Sequence, residues 1–590
     1  MGKKVLSLFM AFMMCFSTLP TFLTATASAE EETAEYAATA ENGVKNINDG
    51  VNVVNGYDSE NSSYSYIYYG TRNGDGIKWR VLDNETLDGN EGLFLLMENP
   101  IKNVEFISYC TLGKLDSSRN NCWSCLDNMR HNWWENSTAR VWCRAFTEQI
   151  SPDTTLGFTT NQRSLGNTLY NNNKASYDQN YSAFSDMERE KILATTKADK
   201  NFKGDHLYYG RDLNGEKVFF LSADEASDAK YGFDTDANRT SNTTWMTRSA
   251  AWEDCVYSSD LESQYGDGKG VNDAGIGAIY GDGYLSAVPI YSAILDKVLG
   301  GAIKETYSFN PISTWSARPA MNISYDSIVF ASAPDAACEK TFDLTNSYSG
   351  NEWKLTLGTG DSFNADLSTN ILSNDGIAVT HTALNGIGNT DYNTVTAELK
   401  NTAGETVAYG ALNTADASAG KSTLPLPSGL ADGTYTLTLR AEQWNGKNMT
   451  NYASQAYDAG TIYVGRNNSH NGQSFKPIVN EFDFAAMTAD DYGFLIDNIT
   501  VNPNTIYSGH LCLNGYTVNG DMQVRNFALY DDDGKSGLLD GSLTLTDGTL
   551  TLYGGTVNTG INLNKGTLAL FGGVVGENNN GCSVVAESDT

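Results

Sequence analysis

The chain is short of positive charge: 39 lysines and arginines stand against 71 aspartates and glutamates, a net charge of −32. Such a chain repels phosphate backbones and anionic lipid surfaces, which excludes nucleic acid as a partner and leaves neutral glycans and extracellular proteins. Histidine is scarcer still. The five, His131, His206, His381, His470 and His510, are scattered with no metal-ligand spacing and no Ser/His/Asp arrangement around them. After the first 29 residues no apolar run reaches the ~20 residues of a membrane-spanning helix, so no transmembrane segment is expected beyond the leader.

That leader is the first thing present. Lys3 and Lys4 precede the apolar run VLSLFMAFMMCF, and Ala27-Ser28-Ala29 precedes an acidic stretch beginning at Glu30. This is the pattern of a secretory signal peptide over residues 1–29, and it implies a secreted or cell-surface protein. Export permits disulfides among Cys110, Cys122, Cys125, Cys143, Cys255, Cys338, Cys512 and Cys582. The two-residue spacing of Cys122 and Cys125 is that of a redox or zinc pair, while a plain disulfide or idle thiols need no further partners. With 40% hydrophobic and 11% aromatic residues there is material for several packed cores, at ~100 to 200 residues each.

Texture divides the remainder. Residues 30–62 are polar, without a sustained period, and read as a linker. From residue 63, IKWRVL (Ile77 to Leu82) and GLFLLM (Gly92 to Met97) read as short strands. Ser185-Asp-Met-Glu188 is a capping box opening the helical EREKILATT. A second box, Ser222-Ala-Asp-Glu225, follows the strand KVFFLS. The block is α+β, with mostly antiparallel strands.

Its landmarks are ordered. Trp79-Arg-Val-Leu82 and the strand Leu93 to Met97 come first, then Trp134-Glu-Asn-Ser137-Thr-Ala-Arg140-Val-Trp142. Glu188 to Ile192, Phe220-Leu-Ser-Ala-Asp-Glu-Ala226, Trp245-Met-Thr-Arg248-Ser249 and Arg318-Pro319-Ala320 follow. In this order they resemble a family of exported bacterial proteins filed as a domain of unknown function. The Trp and Arg spacing is also similar to the C-type-lectin-like fold shared with formylglycine-generating enzymes. The resemblance implies a C-type-lectin-like α+β domain over residues 63–323, a likeness of fold that carries no activity with it. Arg140 is expected to pin a helix to the sheet, with its guanidinium over an indole, and Trp142 to lie in the core. Cys143, where the family pattern has another residue, can pair with an upstream cysteine.

Beyond Ile323 the pattern is β. SIVF, KLTLG, IAVTHTAL, NTVTAELK and TYTLTLRAEQW are broken by Gly, Asn and Asp turns, which predicts an all-β immunoglobulin-like sandwich over residues 324–464. Leu430-Ala-Asp-Gly-Thr-Tyr435 resembles a tyrosine corner. Gly433 to Leu437, Asn445-Gly446 and Tyr452-Ala-Ser454 match a module that often follows the unknown-function family. In residues 465–590, GTLTLYGGTV (Gly548 to Val557) recurs as GTLALFGGVV (Gly566 to Val575), 18 residues on. That is a rung length for a short right-handed parallel β-solenoid, and the block resembles the entry to a pectin-lyase-like β-helix that is either short or cut off by the end of this sequence. Asp531, Asp532 and Asp533 form either a calcium site or a solvated turn.

The expected activity is non-catalytic binding of a glycan or protein through the first block. The ligand-binding residues are Trp245, Arg248, Trp252, Tyr265 and Tyr280, with Tyr257 and Tyr284 on the same late loops, because aromatic faces suit sugar C–H surfaces. These aromatics can equally fill the core under long loops. No cofactor is expected except calcium, for which Asp267, Asn272 and Asp273 on a Gly-rich loop are the oxygen donors. Two other classes stay open: a structural stalk of a larger surface protein, and a polysaccharide-active enzyme. A uronate lyase would need cations, and from Gly520 onward only Arg525, Lys535 and Lys565 are available.

Overall fold

The computed structural model describes residues 44–45, 47, 52–87, 90–106, 133–152, 163–204, 207–251, 271–296, 306–309, 314–334, 339–388, 390–416, 420–464, 468–470, 472–532, 535–576 and 584–586. The expected leader lies outside them, as do Cys110, Cys122, Cys125, Cys255, Cys338 and Cys582. The chain is mostly β, with 49% strand and 12% helix. No described helix is long and apolar enough to cross a membrane.

The first core forms where short apolar strands pair antiparallel. Asp75–Leu87 lies between Tyr66–Arg72 and Asn90–Met97, and Pro319–Ser324 adds itself beyond the latter. Trp79, Trp134 and Trp245 are wholly buried here, and Trp142 nearly so. The helix Thr138–Arg144 starts at Ser137, whose Oγ accepts the Arg140 N–H at 3.0 Å, so one cap satisfies a free first-turn donor. Arg140 does pin this helix: its Nε donates to Glu216 Oε1 at 2.9 Å. The guanidinium over indole is a different one, Arg211 lying 4.2 Å from the Trp133 ring centre. Cys143 is a fully buried thiol that forms no disulfide among the described residues, and burial pushes its pKa well up.

Both capping boxes are formed. Ser185 Oγ accepts from Glu188 N while Glu188 accepts from Ser185 N, and the Ser222–Glu225 pair repeats the exchange at 3.0 and 2.8 Å. The first helix is shorter than EREKILATT suggests. It covers Asp186–Lys191 and gives way at Ile192, which pairs with Ile323 on the sheet. A β-branched residue with a sheet partner gains more from pairing than from another helical turn.

The expected boundary at residues 323 and 324 is not a break in the sheet. Glu352–Gly358 pairs parallel along one edge with two strands laid end to end, Tyr66–Arg72 at Glu352 to Lys354 and Asn451–Ala453 at Thr356 to Gly358, while Ile328–Ser332 takes its other edge antiparallel. Trp353, Leu355, Leu357 and Tyr452 accordingly belong to the first core. A second core is shared by Thr394–Lys400, Gly433–Gln443 and Tyr457–Val464 of the large sheet with Ile377–His381 and Lys421–Leu424 of a four-stranded one. Tyr435 Oη donates to the Ala431 carbonyl at 3.0 Å, as a tyrosine corner requires.

The third block is a parallel β-solenoid of about five turns. Thr549 pairs with Thr567 and Thr556 with Val574, each 18 residues on, which is the repeat in the sequence. The repeat glycines have a cause. Gly548 and Gly566 have φ of +84° and +122°, and a Cβ on Gly566 would meet the Gly548 carbonyl.

Candidate binding residues and buried charge networks

Trp245 and Arg248 sit on the strand Trp245–Ala251, every residue of which is buried. Neither offers surface to solvent, both being 0% exposed. Arg248 donates to the Phe220 carbonyl at 2.7 Å, to Glu225 Oε2 at 2.5 Å and to the Arg211 carbonyl at 3.0 Å, and Asp199 Oδ2 lies 3.4 Å from its Nη2. Glu225 also meets Lys197 at 2.9 Å. Burial alone would raise the Glu225 carboxyl, but Arg248 and Lys197 beside it bring it down to about 2. Burial raises Asp199, with Arg248 opposing it. The W-x-x-R-S segment therefore places a cation in the interior and surrounds it with carboxylates and carbonyls.

Arg318 of the R-P-A segment is held the same way. Its Nε donates to the Met97 carbonyl at 2.7 Å, and its guanidinium lies 5.2 Å from the Trp245 ring centre. Glu98 joins it to Arg80: Oε2 meets Arg318 at 3.0 Å, and both carboxylate oxygens take Arg80 at 2.8 and 2.9 Å. Burial, and then Arg80 nearby, bring Arg318 down to about 10, with Glu98 opposing.

Tyr280 and Tyr284 behave differently. They close the hairpin between Val271–Ile279 and Leu285–Asp296, Tyr280 N donating to Tyr284 O at 2.9 Å. Ile279 pairs with Leu285, and both are buried. The strand period of two then turns the next pair, Tyr280 and Tyr284, the other way. They are 37% and 49% exposed, with exposed Asp282 between them accepting from Tyr284 N at 3.2 Å. The tip is held in place from behind: Gly283 has φ +94°, and a Cβ there would strike the Asp236 backbone.

No family model, curated protein or solved structure matches the chain.

The remaining expected residues are less informative. Trp252, Tyr257, Tyr265 and Asp267 lie outside the described residues. Asn272 and Asp273 are not on a loop but in the paired strand, opposite Ala293 and Ser292. Apolar residues further along, at Ile276 and Ile279, carry that pairing into the core. In the solenoid, Asp531 accepts the Gly515 and Gly537 N–H groups at 2.8 and 2.7 Å, so it anchors a turn.

Tyr492, His510, Tyr530, Tyr553 and Phe571 form a ladder across successive rungs, with ring centres 4.0 Å apart at its start and 5.2 Å at its end. Tyr553 and Phe571 are nearly parallel, at 9°. Tyr492 stacks on His510, and Tyr530, Tyr553 and Phe571 stack in turn, while His510 and Tyr530 are tilted at 38°; Phe571 at the end is 73% exposed. Beside the ladder lie His470, Cys512 and Asp532, an imidazole, a thiol and a carboxylate gathered from three separate segments.

Proposed function

We propose that this is a secreted or cell-surface bacterial protein that binds a ligand without transforming it. Its first unit would be C-type-lectin-like, its second an immunoglobulin-like spacer, and its solenoid related to the right-handed β-helices. The ligand is a neutral glycan, met at the hairpin tip by Tyr280 and Tyr284. The observation that carries this reading is the paired exposure of two tyrosines on one face with an exposed carboxylate between them. Ring faces stack on sugar C–H surfaces, and a carboxylate accepts hydroxyl protons. Support for binding over chemistry comes from the charges of the first unit: Arg248, Glu225, Lys197 and Asp199 are engaged with one another in the interior.

A glycan array probed with the full chain, with and without calcium, tests this. The Tyr280→Ala/Tyr284→Ala protein should bind its best glycan about tenfold or more weaker, since each ring contributes on the order of 1 kcal/mol. A blank array, or an unchanged double variant, removes the reading. It would leave the stalk, for which the sheet running unbroken from the first core to the second is the specific support.

A further inference from the structure

The structure assigns a metal site to His470, Cys512 and Asp532, taking a single borderline-soft divalent ion, with zinc the best match. The three ligand atoms lie within 4.8 Å of one another. His470 Nε2 is 3.4 Å from Asp532 Oδ1, and Cys512 Sγ is 3.7 Å from the same oxygen. Zinc bonds of about 2.0 Å to nitrogen or oxygen and about 2.3 Å to sulfur, set at tetrahedral angles, place their ends about 3.3 to 3.6 Å apart. Both edges therefore approximate those of a zinc tetrahedron, and a small inward shift of the imidazole and thiol completes three of its corners. Water can take the fourth.

The surroundings are arranged for such an ion. Among the described residues His470 Nε2 is buried and has no hydrogen-bond partner, although its position against Asp532 is close. A buried imidazole nitrogen left in this way is costly to the fold, and a cation removes that cost. The ring is held by two aromatics: it stacks on Tyr530 at 5.1 Å and meets Phe475 edge-on at 4.9 Å, which aims Nε2 at the carboxylate. Lys535 Nζ holds the other carboxylate oxygen, Oδ2, at 3.0 Å. It acts as an outer partner that orients Asp532 and leaves Oδ1 turned toward the thiol and imidazole. A divalent ion bound here takes Cys512 as the thiolate, its proton passing to solvent.

The donor set decides the kind of ion. Nitrogen, thiolate and carboxylate together suit zinc, and a thiolate disfavours calcium and magnesium, which take oxygen. The site has a mechanical logic as well. Asn468–His470 is the outer strand of an antiparallel hairpin with Gln473–Ile478, Cys512 ends the strand Ile506–Cys512, and Asp532 follows Met522–Tyr530 on the next rung. One ion ties the lead-in hairpin to two successive rungs. This assignment does not depend on the glycan reading.

Cobalt and zinc titrations of the full chain, purified under reducing conditions with chelator and then freed of it, test the assignment. Cobalt should give a thiolate-to-metal absorption band at one equivalent that zinc abolishes, and zinc should raise the solenoid's melting temperature. The band should vanish in Cys512→Ser, and cobalt affinity should fall about 100-fold or more in His470→Ala and Asp532→Asn. Lys535→Ala should weaken binding by about tenfold as an outer-partner effect. The Cys122→Ser/Cys125→Ser protein should keep the band, which separates this site from that pair. Circular dichroism establishes that each variant is folded; should Cys512→Ser fail to fold, His470→Ala decides. No band in the parent chain, or a band that survives in folded Cys512→Ser or His470→Ala, overturns the assignment.

Discussion

Glu98 is the only carboxylate that both Arg80 and Arg318 reach among the described residues, and it shows how this first core tolerates cations. Arg318 is wholly buried and Arg80 nearly so. Burial alone would raise Glu98, but the Arg80 hydrogen bonds bring it below the ordinary carboxylate range. Removing one partner of a buried pair leaves an uncompensated charge, which costs on the order of 3–5 kcal/mol. Glu98→Ala should therefore destabilise the first core by about that amount in urea melts, and an effect under about 1 kcal/mol would show that water reaches both guanidinium groups. The Trp and Arg residues were legible in the sequence as landmarks, but not their direction. Spacing along one strand says that Trp245 and Arg248 are near each other; only the sheets packed on both sides show that neither faces solvent.

Among the elements, local signals are legible in the sequence and long-range pairings are not. A capping box is written within four residues, and both boxes formed where Ser185–Glu188 and Ser222–Glu225 place them. The solenoid repeat was equally visible, because each rung sets the glycines of the next. The end of the helix at Lys191 was hidden, since it depends on Ile192 finding Ile323 more than a hundred residues away. The site of His470, Cys512 and Asp532 is hidden for the same reason: parallel register sets Cys512 beside the rung that carries Asp532, and an antiparallel hairpin brings His470 to them. Ser185 joins the two kinds of information. Its hydroxyl caps Asp186–Lys191 and also meets Tyr452 Oη at 2.7 Å, on a strand from the far side of the expected boundary. Ser185→Ala should lower stability by about 1 to 2 kcal/mol, at the upper end for a lost cap, because Tyr452 loses a partner too. A change below about 0.5 kcal/mol by chemical denaturation would mean that neither bond contributes.

For the whole molecule, acid should act unequally on the two cores. Glu225 is depressed from 4.5 to about 2. A depressed carboxyl stabilises the fold above its unfolded value and loses that contribution as pH falls through the folded one. Here the loss runs from pH 4.5 down to about 2 and amounts to about 3 kcal/mol. Glu442 in the second core is raised by burial, despite donors from Thr396, Trp444 and Tyr409. Its contribution has the opposite sign, present at low pH and lost as pH rises through its folded value. Intrinsic fluorescence during an acid titration should show the tryptophans of the first core exposed before far-ultraviolet circular dichroism reports loss of the remaining strands. Simultaneous loss would show that the shared sheet couples the cores completely.

That shared sheet has a consequence under tension. Glu352–Gly358 splints Tyr66–Arg72 and Asn451–Ala453 end to end along one edge and is itself held on the other edge by Ile328–Ser332, so drawing the cores apart would shear its backbone bonds together instead of unzipping them singly. Rungs of the solenoid can peel one after another, but the two leading cores cannot be drawn apart as beads on a string. Under load the solenoid would yield first, with the hairpin tip of Tyr280 and Tyr284 still folded.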